Sequence, residues 1–176
     1  IQASLHAEEL PGMLVAHHLR ERLEAAEREG HFCGEVILVP AANPIGLSQR
    51  LDHRAMGRFE FDTAQNFNRH YPDMAAAGLQ DALPLMGNDA GANVDTVRRL
   101  VGQWLTQWQP ASELESLRRQ LLLLSHDADL VLDLHCDTEA VMHLYSEEAC
   151  WAPFEPLARL LGCRAVLLAR ESGGGP

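Results

Sequence analysis

Apolar positions along this chain switch between a run-like and a helical pattern, and the switches predict the elements. IQASL is a short apolar run that ends at His6. Leu10, Leu14, Val15, Leu19, Leu23 and Ala26 then form a stripe at helical spacing, with Pro11 suited to the first turn and Gly30 closing the helix. GEVILVP, residues 34 to 40, reads as a continuous buried strand stopped by Pro40. Strand, helix, strand implies a parallel pair. Helical spacing returns with Val94, Val97, Val101, Trp104, Leu105 and Trp108, is broken by Pro110, and resumes with Leu114, Leu117, Leu121 and Leu124. The tryptophans suit a core better than a ligand platform. DLVLDLH, residues 129 to 135, is a buried strand ending in His135; VMHLYS, PFEPLARLL and CRAVLLA follow as strand, helix and strand. The sum is an α/β fold with a mixed, largely parallel sheet and helices on both faces.

Residues 41 to 90 break the pattern, being rich in Asn, Pro, Gly, His and Arg. Aperiodic stretches of this length are uncommon unless functional, the blander alternative being a floppy insertion. The segment 41 to 72 is expected to cross the carboxyl edge of the sheet and form one wall of a cleft. The 176 residues suit one domain, 1 to 176, with a substantial core. Ile1 opens inside an apolar run and the last residues, ESGGGP, stop in a glycine-rich loop, so the chain reads as a piece of a longer protein, truncated at both ends.

The formal net charge is −11, which argues against nucleic acid or an anionic membrane as partner. No apolar run approaches the roughly 20 residues that span a bilayer. All 14 basic residues are arginine, which excludes lysine chemistry within the chain and leaves anionic groups to planar guanidinium forks. Cys33, Cys136, Cys150 and Cys163 have no CxxC spacing, which fits free thiols and a cytoplasmic setting.

His6 and His135 each follow an apolar strand run, and ligands in open α/β sheets gather at the carboxyl ends of strands. Glu9 lies three residues after His6, a spacing that lets both side chains reach one ion. Two histidines and one carboxylate, with a position left for water, match a catalytic zinc site; iron and manganese are alternatives. HxxE alone is weak, because nine histidines and 25 acidic residues make chance pairs common. Glu8 should point away from His6, and His17 and His18 read as a surface pair on the first helix.

Further pieces raise the specificity. HAEELPG at 6 to 12, NPIG at 43 to 46, NFNR at 66 to 69 and DLHCD at 133 to 137 occur in order. This set resembles the zinc carboxypeptidase superfamily, and most closely its succinylglutamate desuccinylase/aspartoacylase branch, over residues 1 to about 145. The resemblance implies zinc held by His6, Glu9 and His135. It implies that Asn68 and Arg69 grip a substrate carboxylate and that Arg58 faces the scissile carbonyl and stabilises the oxyanion; Arg50 and Arg54 remain competitors for that last role. Ala7 stands where the branch has Gly, and Asn66 where it often has an Asp that orients a zinc histidine; Asp133 is another candidate for that orienting role. The branch's general base is a Glu on a later strand, and Glu171 does not match it. A chain without that base should bind metal with little turnover.

The leading expectation is a zinc-dependent hydrolase that cleaves an amide bond in an N-acyl amino acid or related small molecule. A metallocarboxypeptidase acting on the C-termini of peptides shares the same metal and clamp. A non-catalytic zinc-binding domain is the alternative of another class. The oligomeric state has no signal in the sequence.

Overall fold

The computed structural model describes residues 1 to 75 and 81 to 170. Glu171 therefore lies outside the described residues, as do residues 76 to 80 of the aperiodic stretch. The chain divides into two compact units, 1 to 136 and 137 to 175.

The first unit is organised on a short parallel pair. β1 (Gln2–Ala3) pairs with β4 (Asp133–Leu134), Gln2 opposite Asp133 and Ala3 opposite Leu134. On its other edge β1 meets Val39 in a single parallel bridge. The class is α/β, as expected, but the 34 to 40 strand shrinks to that bridge. Ile1 bonds to the Ile37 carbonyl and Val39 to the Ile1 carbonyl, so residues 37 to 39 lie beside the start of β1. Val36 and Ile37 are exposed. Likewise only Asp133 and Leu134 of the 129 to 135 run are laddered, and Leu130 and Val131 are exposed.

α1 (Pro11–Arg28) starts on its proline, as the pattern predicts, but its first turns bury residues outside the apolar stripe. Leu10, Leu14 and Val15 are exposed, and Gly12 and Ala16 are buried. A Cβ at Gly12 would sit 3.1 Å from the Ala3 Cβ and 3.2 Å from that of Leu134. Small residues thus let the start of the helix rest directly on β1 and β4, while Leu19, Leu23 and Ala26 of the stripe are half-buried further along.

The aperiodic stretch is ordered by turns. It holds α2 (Pro44–Ser48) and an antiparallel hairpin of β2 (Arg50–Leu51) and β3 (Arg54–Ala55). Asp52 and His53 both take positive φ, 49° and 62°, as a tight two-residue hairpin turn requires. α2 is capped by the Asn43 side chain, which accepts from the Gly46 amide and donates to the Leu5 carbonyl, tying the stretch to the end of β1. Gln49 holds the carbonyls of Met56 and Phe59 and the amide of Phe61.

α3 (Ala90–Gln107) and α4 (Glu113–Ser125) bear out the two helical stripes, capped by Asp89 and Ser112. Val94 and Leu124, at the ends of those stripes, are exposed. Val101, Leu105 and Leu122 form one core cluster, against which the stacked Trp104 and Trp108 pack. Leu5, Ala42, Phe67, Leu114 and Leu121 form the other. The second unit is a strand–helix–strand: β5 (His143–Glu147) pairs in parallel with β6 (Ala165–Ala169), joined through α5 (Trp151–Leu160). All four cysteines are free. No helix among the described residues is long and apolar enough to cross a membrane.

One buried cation braces the aperiodic stretch from behind. Arg118 on α4 is 4% exposed, and its Nη2 donates to the Gln65 side chain at 3.0 Å. The guanidinium carbon lies 5.9 Å from the Tyr71 ring centre. Burial pushes the Arg118 pKa down from its ordinary value, with the nearby Tyr71 and acidic groups opposing. Arg118→Met removes the donor and leaves the Gln65 oxygen unpaired. Urea unfolding of the intact protein should show a loss of about 1–3 kcal/mol; an unchanged midpoint contradicts the bracing role.

Candidate metal centre

β1 ends in a turn rather than running on. Ser4 takes a left-handed φ of 62°, and its hydroxyl bonds to the Ala7 carbonyl. Leu5 is fully buried, and the Glu9 amide donates to the His6 carbonyl at 2.9 Å. This turn, ahead of α1, brings His6 Nδ1 to 3.0 Å from Glu9 Oε1. β4 delivers the third group from the far end of the unit: His135 Nδ1 lies 3.0 Å from Glu9 Oε2. The two imidazoles meet edge to face with ring centres 5.0 Å apart.

Glu9 is 7% exposed and uses both oxygens. Besides the rings, Oε1 accepts from Arg58 Nη2 at 2.7 Å and Oε2 accepts from the Cys136 amide at 2.7 Å. Burial alone would raise the Glu9 pKa. The Cys136 amide, the His135 charge and the His6 ring together outweigh it and hold the acid below the usual carboxylate range. The reverse balance applies to His135. Burial would lower its pKa, but the hydrogen bond and charge of Asp133, with Glu9 beside it, raise it. The centre is an ionised carboxylate whose surroundings draw positive charge.

The outer nitrogens define which edge of each ring faces inward. His6 Nε2 lies 2.9 Å from Asn66 Oδ1, which can only accept, so that nitrogen carries the proton. His135 Nε2 lies 2.7 Å from Asp133 Oδ2, also an acceptor. Both Nδ1 atoms face the Glu9 oxygens, so a cation bound there would meet two ring nitrogens and the carboxylate. Donor atoms around one tetrahedral zinc-sized ion lie about 3.3 Å apart. The ligand atoms of His6, Glu9 and His135 all lie within 4.8 Å of one another, so the three residues fit a divalent metal.

The aperiodic stretch lies against this cluster, as expected of residues 41 to 72. Gly57 accepts from the Ala7 amide, and a Cβ there would stand 2.5 Å from the Glu8 backbone nitrogen, so only glycine allows the contact. Arg58 follows directly, reaching Glu9 and, through Nε at 3.4 Å, the exposed Glu8. The chain then doubles back: Phe67 donates to the Arg58 carbonyl, and Phe59 bridges Asn66. Phe67 is fully buried, and its neighbours flank the rings: Asn66 Oδ1 accepts from His6, and Asn68 Nδ2 lies 3.2 Å from His135 Nε2 without donating to it, since that nitrogen donates to Asp133. Asn68 Oδ1 is buried without a partner. Arg69 is exposed, with Nη1 on the Asn68 carbonyl. Among the three arginines considered for the carbonyl, Arg58 reaches Glu9, Arg50 is turned to the Leu47 and Gln49 carbonyls, and Arg54 is exposed on β3.

Sequence reasoning missed the Cys136 amide, Gly57, Gln49 and Arg118. A backbone donor carries no side-chain signal, and the others lie in or against irregular turns without a period to read.

Over residues 1–175 the sequence matches the family model described as the succinylglutamate desuccinylase/aspartoacylase catalytic domain. Two of the solved structures similar to it illustrate the likeness. One is a succinylglutamate desuccinylase/aspartoacylase family protein from Shewanella amazonensis SB2B, with TM-score 0.65 and 27% identity over 84% of this chain and 40% of that one. The other, from Shewanella frigidimarina NCIMB 400 and described in the same terms, has TM-score 0.61 and 28% identity over 84% of this chain and 40% of its own. This chain thus spans less than half the length of either. No curated protein matches it.

The groups behind the rings generate a prediction. Asn66→Ala and Asp133→Ala each remove an acceptor that orients a histidine, and each should weaken metal affinity by about 10–100-fold. Competition with a chelator measures this; wild-type affinity in both variants contradicts the assignment of the outer nitrogens.

Proposed function

Because this chain belongs to the succinylglutamate desuccinylase/aspartoacylase catalytic-domain family, we propose that it supplies the metal-binding part of a zinc-dependent hydrolase that cleaves the amide bond of an N-acyl amino acid or a related small molecule. The observation that carries this reading is the Glu9 carboxylate faced on its two oxygens by the Nδ1 atoms of His6 and His135. These three residues hold the ion. When bound, zinc supplies Lewis acidity, which activates water near neutral pH and polarises an amide carbonyl.

The remaining roles belong to the protein. Asn66 and Asp133 fix the ring orientations. Hydrolysis builds negative charge on the carbonyl oxygen, and a fixed guanidinium beside it stabilises the transition state more than the ground state. Arg58 is the group for this, because its guanidinium already lies at a ligand carboxylate. Asn68 and Arg69 bind the substrate carboxylate. Arg69 is exposed and presents a planar fork suited to a bidentate grip, and Asn68 offers an amide beside His135. Positioning the substrate in this way converts binding energy into correct alignment of the amide.

The test uses the intact protein against a panel of N-acyl amino acids and short peptides. Turnover of the acyl amino acids, lost on metal removal and restored by zinc, supports the reading; turnover of peptides alone moves it to a carboxypeptidase. Arg58→Ala should lower kcat by about 10²–10³-fold. Arg69→Ala should mainly raise KM for substrates with a free carboxylate. Equal, small effects of both contradict this division of labour.

A further inference from the structure

Among the described residues, one other set of side chains has the composition and spacing to hold a metal ion: His17, His18 and Glu21 on α1. Helical geometry places them together. Glu21 is four residues after His17 and three after His18, so its carboxylate stands on the same side as both rings. His17 Nε2 is 3.8 Å from Glu21 Oε1, and His18 Nδ1 is 3.3 Å from Oε2. The rings meet edge to face with centres 5.2 Å apart, and one ligand atom from each residue lies within 4.8 Å of the others.

The local charges leave this carboxylate to the histidines. Arg20, beside Glu21 in sequence, pairs instead with Glu24 four residues along the helix. α1 buries Gly12 and Ala16, whereas His17, His18 and Glu21 are all more than half exposed, so an ion reaches them from solvent without disturbing the packing. The donor set decides the class of ion. Two imidazole nitrogens and one carboxylate oxygen suit zinc, copper and nickel, while calcium and magnesium take oxygen ligands.

We propose that His17, His18 and Glu21 form a second, surface-exposed site for a divalent transition metal ion of the zinc, copper and nickel class. The site is independent of the centre built on Glu9, and stands whether or not the hydrolase reading does. Copper binds it most tightly, following the general order of divalent affinities. It is the weaker of the two sites, because three exposed side chains must give up rotamer freedom to close on the ion, while His6 and Glu9 are already buried and held. The acidic balance of the chain raises the local concentration of cations around it. The consequence is practical as well: protein loaded with excess metal carries more than one equivalent, and the second is lost first.

The experiment titrates the metal-free intact protein with Zn2+ by calorimetry and with Cu2+ by electron paramagnetic resonance, in the wild type, in His17→Gln/His18→Gln, in Glu21→Gln and in His135→Ala. The wild type should show two classes of site. The double histidine variant should lose the weaker class and its nitrogen hyperfine signal, keeping the tighter one; Glu21→Gln should weaken the same class. His135→Ala should do the reverse. Three exposed substitutions leave the fold intact, which circular dichroism checks. A double variant that retains both classes overturns the proposal, as does a wild type that binds nothing or a single equivalent lost only in His135→Ala. A single equivalent lost only in the double variant upholds the surface site and removes the inner one.

Discussion

A buried, ionised carboxylate is costly to keep out of water unless every lone pair has a partner. Glu9 meets that condition by drawing on the whole length of the first unit. His6 comes from the turn after β1, Arg58 from the doubled-back stretch, and His135 with the Cys136 amide from the end of β4. Residues separated by up to 127 positions are joined at one group. The same grouping suits a metal, since an ion bound there would meet the carboxylate and both inward nitrogens.

Precision at that group depends on apolar neighbours. Leu5 and Phe67 are both fully buried in one cluster with Leu114 and Leu121 of α4. Leu5 immediately precedes His6, and Phe67 lies between Asn66 and Asn68. The core therefore anchors the residues next to the first histidine and its acceptor, and β1 beside β4 brings in the second histidine. Side chains locked by packing and by outer hydrogen bonds are what keep a site within the small tolerances that catalysis needs.

The grouping of His6, Glu9 and His135 was legible in the sequence because HAEELPG and DLHCD follow apolar runs. Asn66 and Asn68 stood out in the NFNR motif, and Arg58, which lies in none of the motifs, only through the family resemblance. The helices at 90 to 107 and 113 to 125 were legible from period alone. Three things were not. At the start of α1 the inward face follows Gly12 and Ala16, because tight packing on β1 and β4 favours the absence of bulk, and the stripe residues Leu10, Leu14 and Val15 are exposed. The run at 34 to 40 is largely apolar, and periodicity does not say that Val39 is the residue that bridges β1. The grip of Gly57 on Ala7 and of Gln49 on three backbone groups arises from turn geometry in a segment without a period.

The central claim is that His6, Glu9 and His135 share one divalent ion through the inward nitrogens. Anomalous diffraction at the zinc edge, from crystals of the intact protein prepared with one equivalent of zinc, tests it most directly. The account predicts a peak about 2.0–2.2 Å from the Nδ1 atoms of His6 and His135 and from the Glu9 carboxylate, with Nε2 of each ring still turned to Asn66 and Asp133. A peak elsewhere, or rings turned so that Nε2 meets the ion, would contradict it.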